Sequence, residues 1–125
     1  MTTVIVNTRA KSYNIQAAAV WIGLDLLVYI WGGEAPHIGA VAMATPRPSL
    51  ADASVTSSTA SVFTYVGHKE DGLAKEMAER LSAALGAKVV VTAGIHWDGL
   101  DRAAIEQVRA NSRELAGLLL AELSK

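Results

Sequence analysis

The chain has no cysteine in its 125 residues. That absence removes disulfides, thiolate metal sites and thiol nucleophiles together. It fits a reducing compartment, and the expected location is the cytoplasm. Charge is also scarce: charged residues make up 18% of the chain and the formal net charge is −1, against about 25% charged residues in an average domain. No Lys/Arg run occurs, so the electrostatic footprint of a nucleic-acid binder is missing. The first residues, Met1 to Arg9, lack a basic region followed by an apolar run and do not read as a signal peptide. Apolar stretches are interrupted at Gly23, Asp25 and Gly32, and none is long enough to cross a membrane. No Gly-x-Gly-x-x-Gly fingerprint, P-loop lysine motif or Gly-x-Ser-x-Gly elbow is present. The carboxylates Asp25, Glu34, Asp52 and Asp98 are scattered through turns, with no pair spaced as a glycosidase dyad.

What the chain has in excess is apolar side chains, at 51%. Its length fits one domain, residues 1–125. A domain of this size holds a real core without staples, and the apolar surplus points to a subunit interface, hence a homodimer.

Along the chain, the first half reads as strands and the second as helix–strand–helix. β-branched and aromatic runs bounded by Gly and Pro predict strands over Thr2–Arg9, Tyr13–Ile22, Leu24–Trp31 and His37–Thr45. Ile22-Gly23-Leu24-Asp25 reads as a tight hairpin with Gly23 at positive φ. Thr45–Thr59, with Pro46, Pro48 and many serines, reads as a long loop. Ala60–Val66 alternates as a half-buried strand. From His68 to Leu85, Leu73, Met77, Leu81 and Leu85 recur every four residues, with Ala74, Ala78 and Ala84 beside them: one helical face ending at Gly86. Lys88–Ala93 reads as a central buried strand and Gly94–Gly99 as a loop. Asp101 is the expected N-cap of a last helix to Leu123, with its stripe at Ile105, Val108, Leu115, Leu119 and Leu123. The predicted class is α/β of the α+β kind: one mixed, mainly antiparallel sheet with two helices on one face. The strand–helix–strand from Ala60 to Ala93 is a candidate crossover between parallel strands.

Three histidines, His37, His68 and His96, all sit at element boundaries beside glycines. Strand ends that meet helix starts are where ligands gather in open sheets. A convergence there would serve as a metal site, an acid–base pair or a ligand anchor. The plain alternative is three separate histidines touching water. No two of them share a helix at ligand spacing, so no metal is expected. Gly67-His68-Lys69-Glu70-Asp71 enters a helix, where free N–H groups and the dipole suit a phosphate. Alternatively it is a solvated first turn in which Glu70 and Asp71 answer the dipole alone. Ser54, Thr56, Ser57, Ser58 and Thr59 offer hydroxyl donors, or simply a polar loop. Trp21 and Trp31 read as packing or interface, and Trp97 beside His96 is placed to flank an aromatic ligand.

Three segments, Pro36-His37-Ile38-Gly39-Ala40-Val41-Ala42, Gly67-His68-Lys69-Glu70 and Val89-Val90-Val91-Thr92-Ala93-Gly94-Ile95-His96-Trp97-Asp98, resemble the LpdD-like family. The Val-Thr-Ala-Gly-Ile-His stretch is the most specific of them, and the likeness extends over most of the chain. These are small proteins associated with gallate decarboxylase systems and described as chaperones for prenylated flavin mononucleotide. The resemblance implies a non-catalytic helper that binds the reduced cofactor (or flavin mononucleotide itself) and matures or delivers it. The implied partners are a UbiD-type decarboxylase and a flavin prenyltransferase. On that reading Gly39, Gly67 and Gly94 allow close backbone approach, His68 and Lys69 hold the phosphate, and His37 and His96 bond the ring edge. Two other classes stay open: an assembly subunit without a cofactor of its own, and a small enzyme moving protons through its histidines.

Overall fold

The computed structural model describes residues 2–65 and 70–125. Strands β1 (Thr3–Asn7), β2 (Ile15–Ile22), β3 (Asp25–Gly33), β4 (Ala40–Pro48) and β5 (Thr56–Thr64) are followed by helix α1 (Asp71–Leu85), strand β6 (Val89–His96) and helix α2 (Arg102–Leu123). The six strands form one sheet in the order β1-β2-β3-β6-β4-β5. All neighbouring pairs are antiparallel except β3 with β6. Because β4 runs antiparallel to both β5 and β6, the β5–α1–β6 connection joins parallel strands across an intervening one. The expected mixed sheet and crossover are both present.

Side chains alternate across a strand, and one face of the sheet is covered by the helices. Ile15, Ala17 and Ala19 of β2, Leu26, Val28 and Ile30 of β3, and Val89, Val91 and Ala93 of β6 are buried there. On β4 that face is Ala40, Ala42 and Ala44. Three alanines leave little height, so α1 can lie close, with Ala74, Met77, Ala78 and Leu81 against the sheet. Helix α2 buries Leu115, Ala116 and Leu119. Ala84, expected on the inner face of α1, is exposed. Ser82 is buried instead, its hydroxyl donating to the Ala87 carbonyl at 2.7 Å.

The β2–β3 hairpin turns at Gly23, φ +62°, with Ile22 opposite Asp25, as its sequence predicts. Gly86 ends α1 in the left-handed conformation, and Asp101 caps α2 by accepting from the Ala104 N–H.

Four boundaries differ from expectation. Tyr13 is not in β2: it has φ +59°. The Asn14 side chain closes the preceding turn onto Ala10, and Asn111 of α2 donates to the Ser12 and Tyr13 carbonyls. Residues His37 to Gly39 precede β4 rather than opening it. The long loop predicted over Thr45–Thr59 shrinks to residues 49–55, because β4 and β5 pair out to Pro48 and Thr56. Pro46 and Pro48 are tolerated because β4 loses β6 as a neighbour beyond Ala44, leaving one side without a ladder to break. Finally, β6 continues through Gly94 to His96.

Candidate functional site

The C-terminal end of β6 is crowded by the chain that leads into β4. The Glu34 N–H donates to the His96 carbonyl at 2.7 Å and the Gly39 N–H to the Ala93 carbonyl at 2.9 Å. A side chain at Gly94 would collide with the His37 carbonyl, and one at Gly39 with the Glu70 carboxylate. The space freed by these two glycines is filled by the protein's own atoms.

That packing brings His37 against the start of α1. Its Nδ1 lies 2.9 Å from the Ala35 carbonyl, and its Nε2 lies 2.9 Å from Glu70 Oε1. A carbonyl only accepts, so Nδ1 carries its hydrogen. Glu70 is buried, not the solvated first-turn acid expected. Its carboxylate turns toward His37 across the gap left by Gly39. Glu70 Oε2 is buried and accepts no hydrogen bond among the described residues.

Two residues past Gly94, the His96 ring meets Asp98, Nε2 to Oδ1 at 2.8 Å, with both side chains open to solvent. His37 and His96 therefore flank the same strand end. Gly67, His68 and Lys69 lie outside the described residues.

Beside this strand end runs a groove of about 720 Å³ between α1, α2 and the β6–α2 connection. That is the scale of small-molecule sites, about 300–1,000 Å³. Leu73, Ile95, Trp97, Ile105 and Val108 give it apolar walls. Trp97 is braced by Tyr13, ring centroids 5.3 Å apart and nearly perpendicular. Glu70 and His96 reach one end, and Arg109 and Arg113 line it from α2. The arginines stand one helical turn apart, so both guanidinium groups serve one side of the groove. Their acid partners are exposed and loosely paired, Arg109 to Glu106 at 3.7 Å and Arg113 to Glu76, itself in the groove lining, at 3.6 Å. Such pairs contribute about 0–1 kcal/mol, so a ligand anion can replace them at little cost. The donor set fits an aromatic ring bearing an anionic tail. Among the described residues no group of three or more His, Cys, Asp or Glu could hold a metal ion.

Of the sequence-predicted residues, the structure gathers His37, Gly39, Gly94 and His96 at one strand end. It adds three the sequence reading missed: Glu70, Arg109 and Arg113. The spacing of Arg109 and Arg113, four residues apart on one helix, was a usable signal. The inward turn of Glu70 had none, since it depends on a glycine thirty-one positions away.

Fold and groove together define a small α+β domain with a polar strand end beside an apolar cleft. The chain belongs to the family described as the prenylated flavin chaperone LpdD-like domain, whose model matches residues 9–124. It is 30% identical over 118 residues to Protein LpdD of Lactiplantibacillus plantarum, covering 93% of this chain and 82% of that one. A solved structure described as a novel chaperone complex for yeast 20S proteasome assembly matches with a TM-score of 0.55. It covers 99% of this chain and 97% of its own at 14% identity, a likeness of fold alone.

Proposed function

We propose that this protein is an accessory protein that holds prenylated flavin mononucleotide in the α1–α2 groove and hands it to a UbiD-type decarboxylase. The observation that carries the reading is the groove itself, in a chain that belongs to the LpdD-like family. Trp97, Ile105 and Val108 offer a wall for the ring system, and a ring that stacks there removes apolar surface from water on both sides. His96 stands at the polar edge. Arg109 and Arg113 provide the fork that a phosphate takes best, with Lys69 and His68 as further candidates from the sequence. A flavin prenyltransferase is the natural source of the ligand, and the absence of cysteine agrees with work in a reducing cytoplasm. No helix among the described residues is long and apolar enough to cross a membrane.

The test is a fluorescence titration with flavin mononucleotide and with its prenylated form. Wild type should saturate with one flavin per chain. Arg109→Ala/Arg113→Ala should weaken binding at least about 10-fold, the loss expected for charge-assisted bonds worth about 1.5–3 kcal/mol, and Trp97→Ala should weaken it further. No saturable binding of either flavin overturns the reading, and so does equal binding by all the proteins.

A further inference from the structure

Among the described residues Tyr13 alone, glycines apart, has a positive φ, at +59°. For a bulky L-residue this left-handed conformation is disfavoured, because Cβ crowds the carbonyl oxygen that follows. Such residues persist where their surroundings over-determine them, and they cluster at ligand sites. Here the surroundings act from both sides. Asn14 closes the turn onto Ala10, accepting from its N–H at 2.7 Å and donating to its carbonyl at 2.9 Å. From α2, Asn111 donates to the Ser12 and Tyr13 carbonyls. Asn111 stands three residues past Val108 and directly before Ser112, and both of those line the groove. The helix that walls the groove therefore also holds the strained turn.

The conformation serves no hydrogen bond of the side chain, since the Tyr13 hydroxyl makes none among the described residues. What it delivers is the ring. Tyr13 meets Trp97 with centroids 5.3 Å apart and planes at 84°, a favourable edge-to-face arrangement. Trp97 needs that support. It lies just past the end of β6, in the connection to α2, and it lines the groove. No hydrogen bond orients its indole among the described residues. An indole free to turn would lose that freedom on meeting a ligand, and ordering one side chain lowers affinity roughly 2- to 10-fold.

We propose that Tyr13 is a positioning residue for the groove: held at positive φ by Asn111, it fixes Trp97 as a preformed wall for a planar aromatic ligand. This rests on the reading of the groove as a flavin site. It adds to that site a residue outside the groove lining, from the turn between β1 and β2.

The experiment is a fluorescence titration with flavin mononucleotide and its prenylated form, with urea midpoints measured for each variant. Tyr13→Gly and Tyr13→Ala should each raise the dissociation constant about 3- to 10-fold. Glycine takes the left-handed conformation without strain and alanine does not, so the urea midpoint of Tyr13→Gly should equal or exceed that of Tyr13→Ala. Tyr13→Phe keeps the ring and should stay within about 2-fold of wild type. The double variant Trp97→Ala/Tyr13→Gly should bind no more weakly than Trp97→Ala, because Tyr13 acts through the indole. Losses that add in the double variant overturn the proposal, as does a Tyr13→Gly midpoint below that of Tyr13→Ala. Undiminished binding by Tyr13→Gly beside weakened binding by Trp97→Ala overturns it alone and leaves the flavin reading standing. A wild type that saturates with neither flavin overturns both.

Discussion

The two faces of the sheet are built from the same strands and differ in kind. The covered face is small and smooth: three alanines on β4, two on β2, and valines, leucine and isoleucine on the central strands. The other carries Tyr29, Trp31, Met43, Phe63 and Tyr65. Small residues let helices approach a sheet closely, and each is locked by its neighbours. Large residues with polar or polarisable ends suit a face whose outer side meets water. The difference teaches that alternation marks two apolar faces, while side-chain size separates the one the helices fold against from the one they leave bare.

The largest expected effect tests that separation directly. Leu81 lies fully buried between α1 and the sheet. Leu81→Ala should cost about 2–5 kcal/mol of unfolding free energy. Met43→Ala on the other face deletes a comparable volume without leaving a cavity in the folded chain. Its cost should stay below about 1 kcal/mol. Urea denaturation of both variants decides the matter, and equal costs would erase the distinction between the faces.

How much of this was legible beforehand follows the same divide. Val89-Val90-Val91 reads as a strand buried on both sides, and it is covered on one side only. Composition pointed to an interface, but no periodicity says which strands neighbour which, and the bare face exists only in the order β1-β2-β3-β6-β4-β5. Helix ends were readable because their signals are local: Gly86 and Asp101 act within one turn. The pairing of Pro46 and Pro48 was not, since it depends on where β6 stops. At the site, His37 and His96 were found from their glycine neighbours. The Glu70 contact, by contrast, is made across three elements.

A second, smaller effect probes the end of the bare face. Gly94 stands opposite Trp31 on that side, and the His37 peptide lies against it. Gly94→Ala should push this segment away at about 1–3 kcal/mol, the usual cost of overpacking. The His37 imidazole would separate from Glu70, so its NMR resonances should move while those of His96 change less. An alanine accommodated with no change in stability or in the His37 signals would mean the segment is loosely held.

The smallest effect belongs to the covered side, at the point where α2 passes from core to groove. Leu115 and Leu119 lie fully buried beyond it, and Ile105 is half exposed before it. Asn111 is the hinge of this division, a buried amide whose Nδ2 reaches the Ser12 carbonyl at 3.0 Å and the Tyr13 carbonyl at 2.6 Å. Asn111→Leu keeps the branched outline of the side chain and removes both hydrogen bonds from Nδ2. It should cost about 1–2 kcal/mol, because two carbonyls lose their partner while the added apolar contact offsets part of the loss. The loss should fall locally, as faster amide exchange over residues 8–15, where Tyr13 is held at positive φ. A variant that exchanged no faster there would show that Asn111 does not hold this segment.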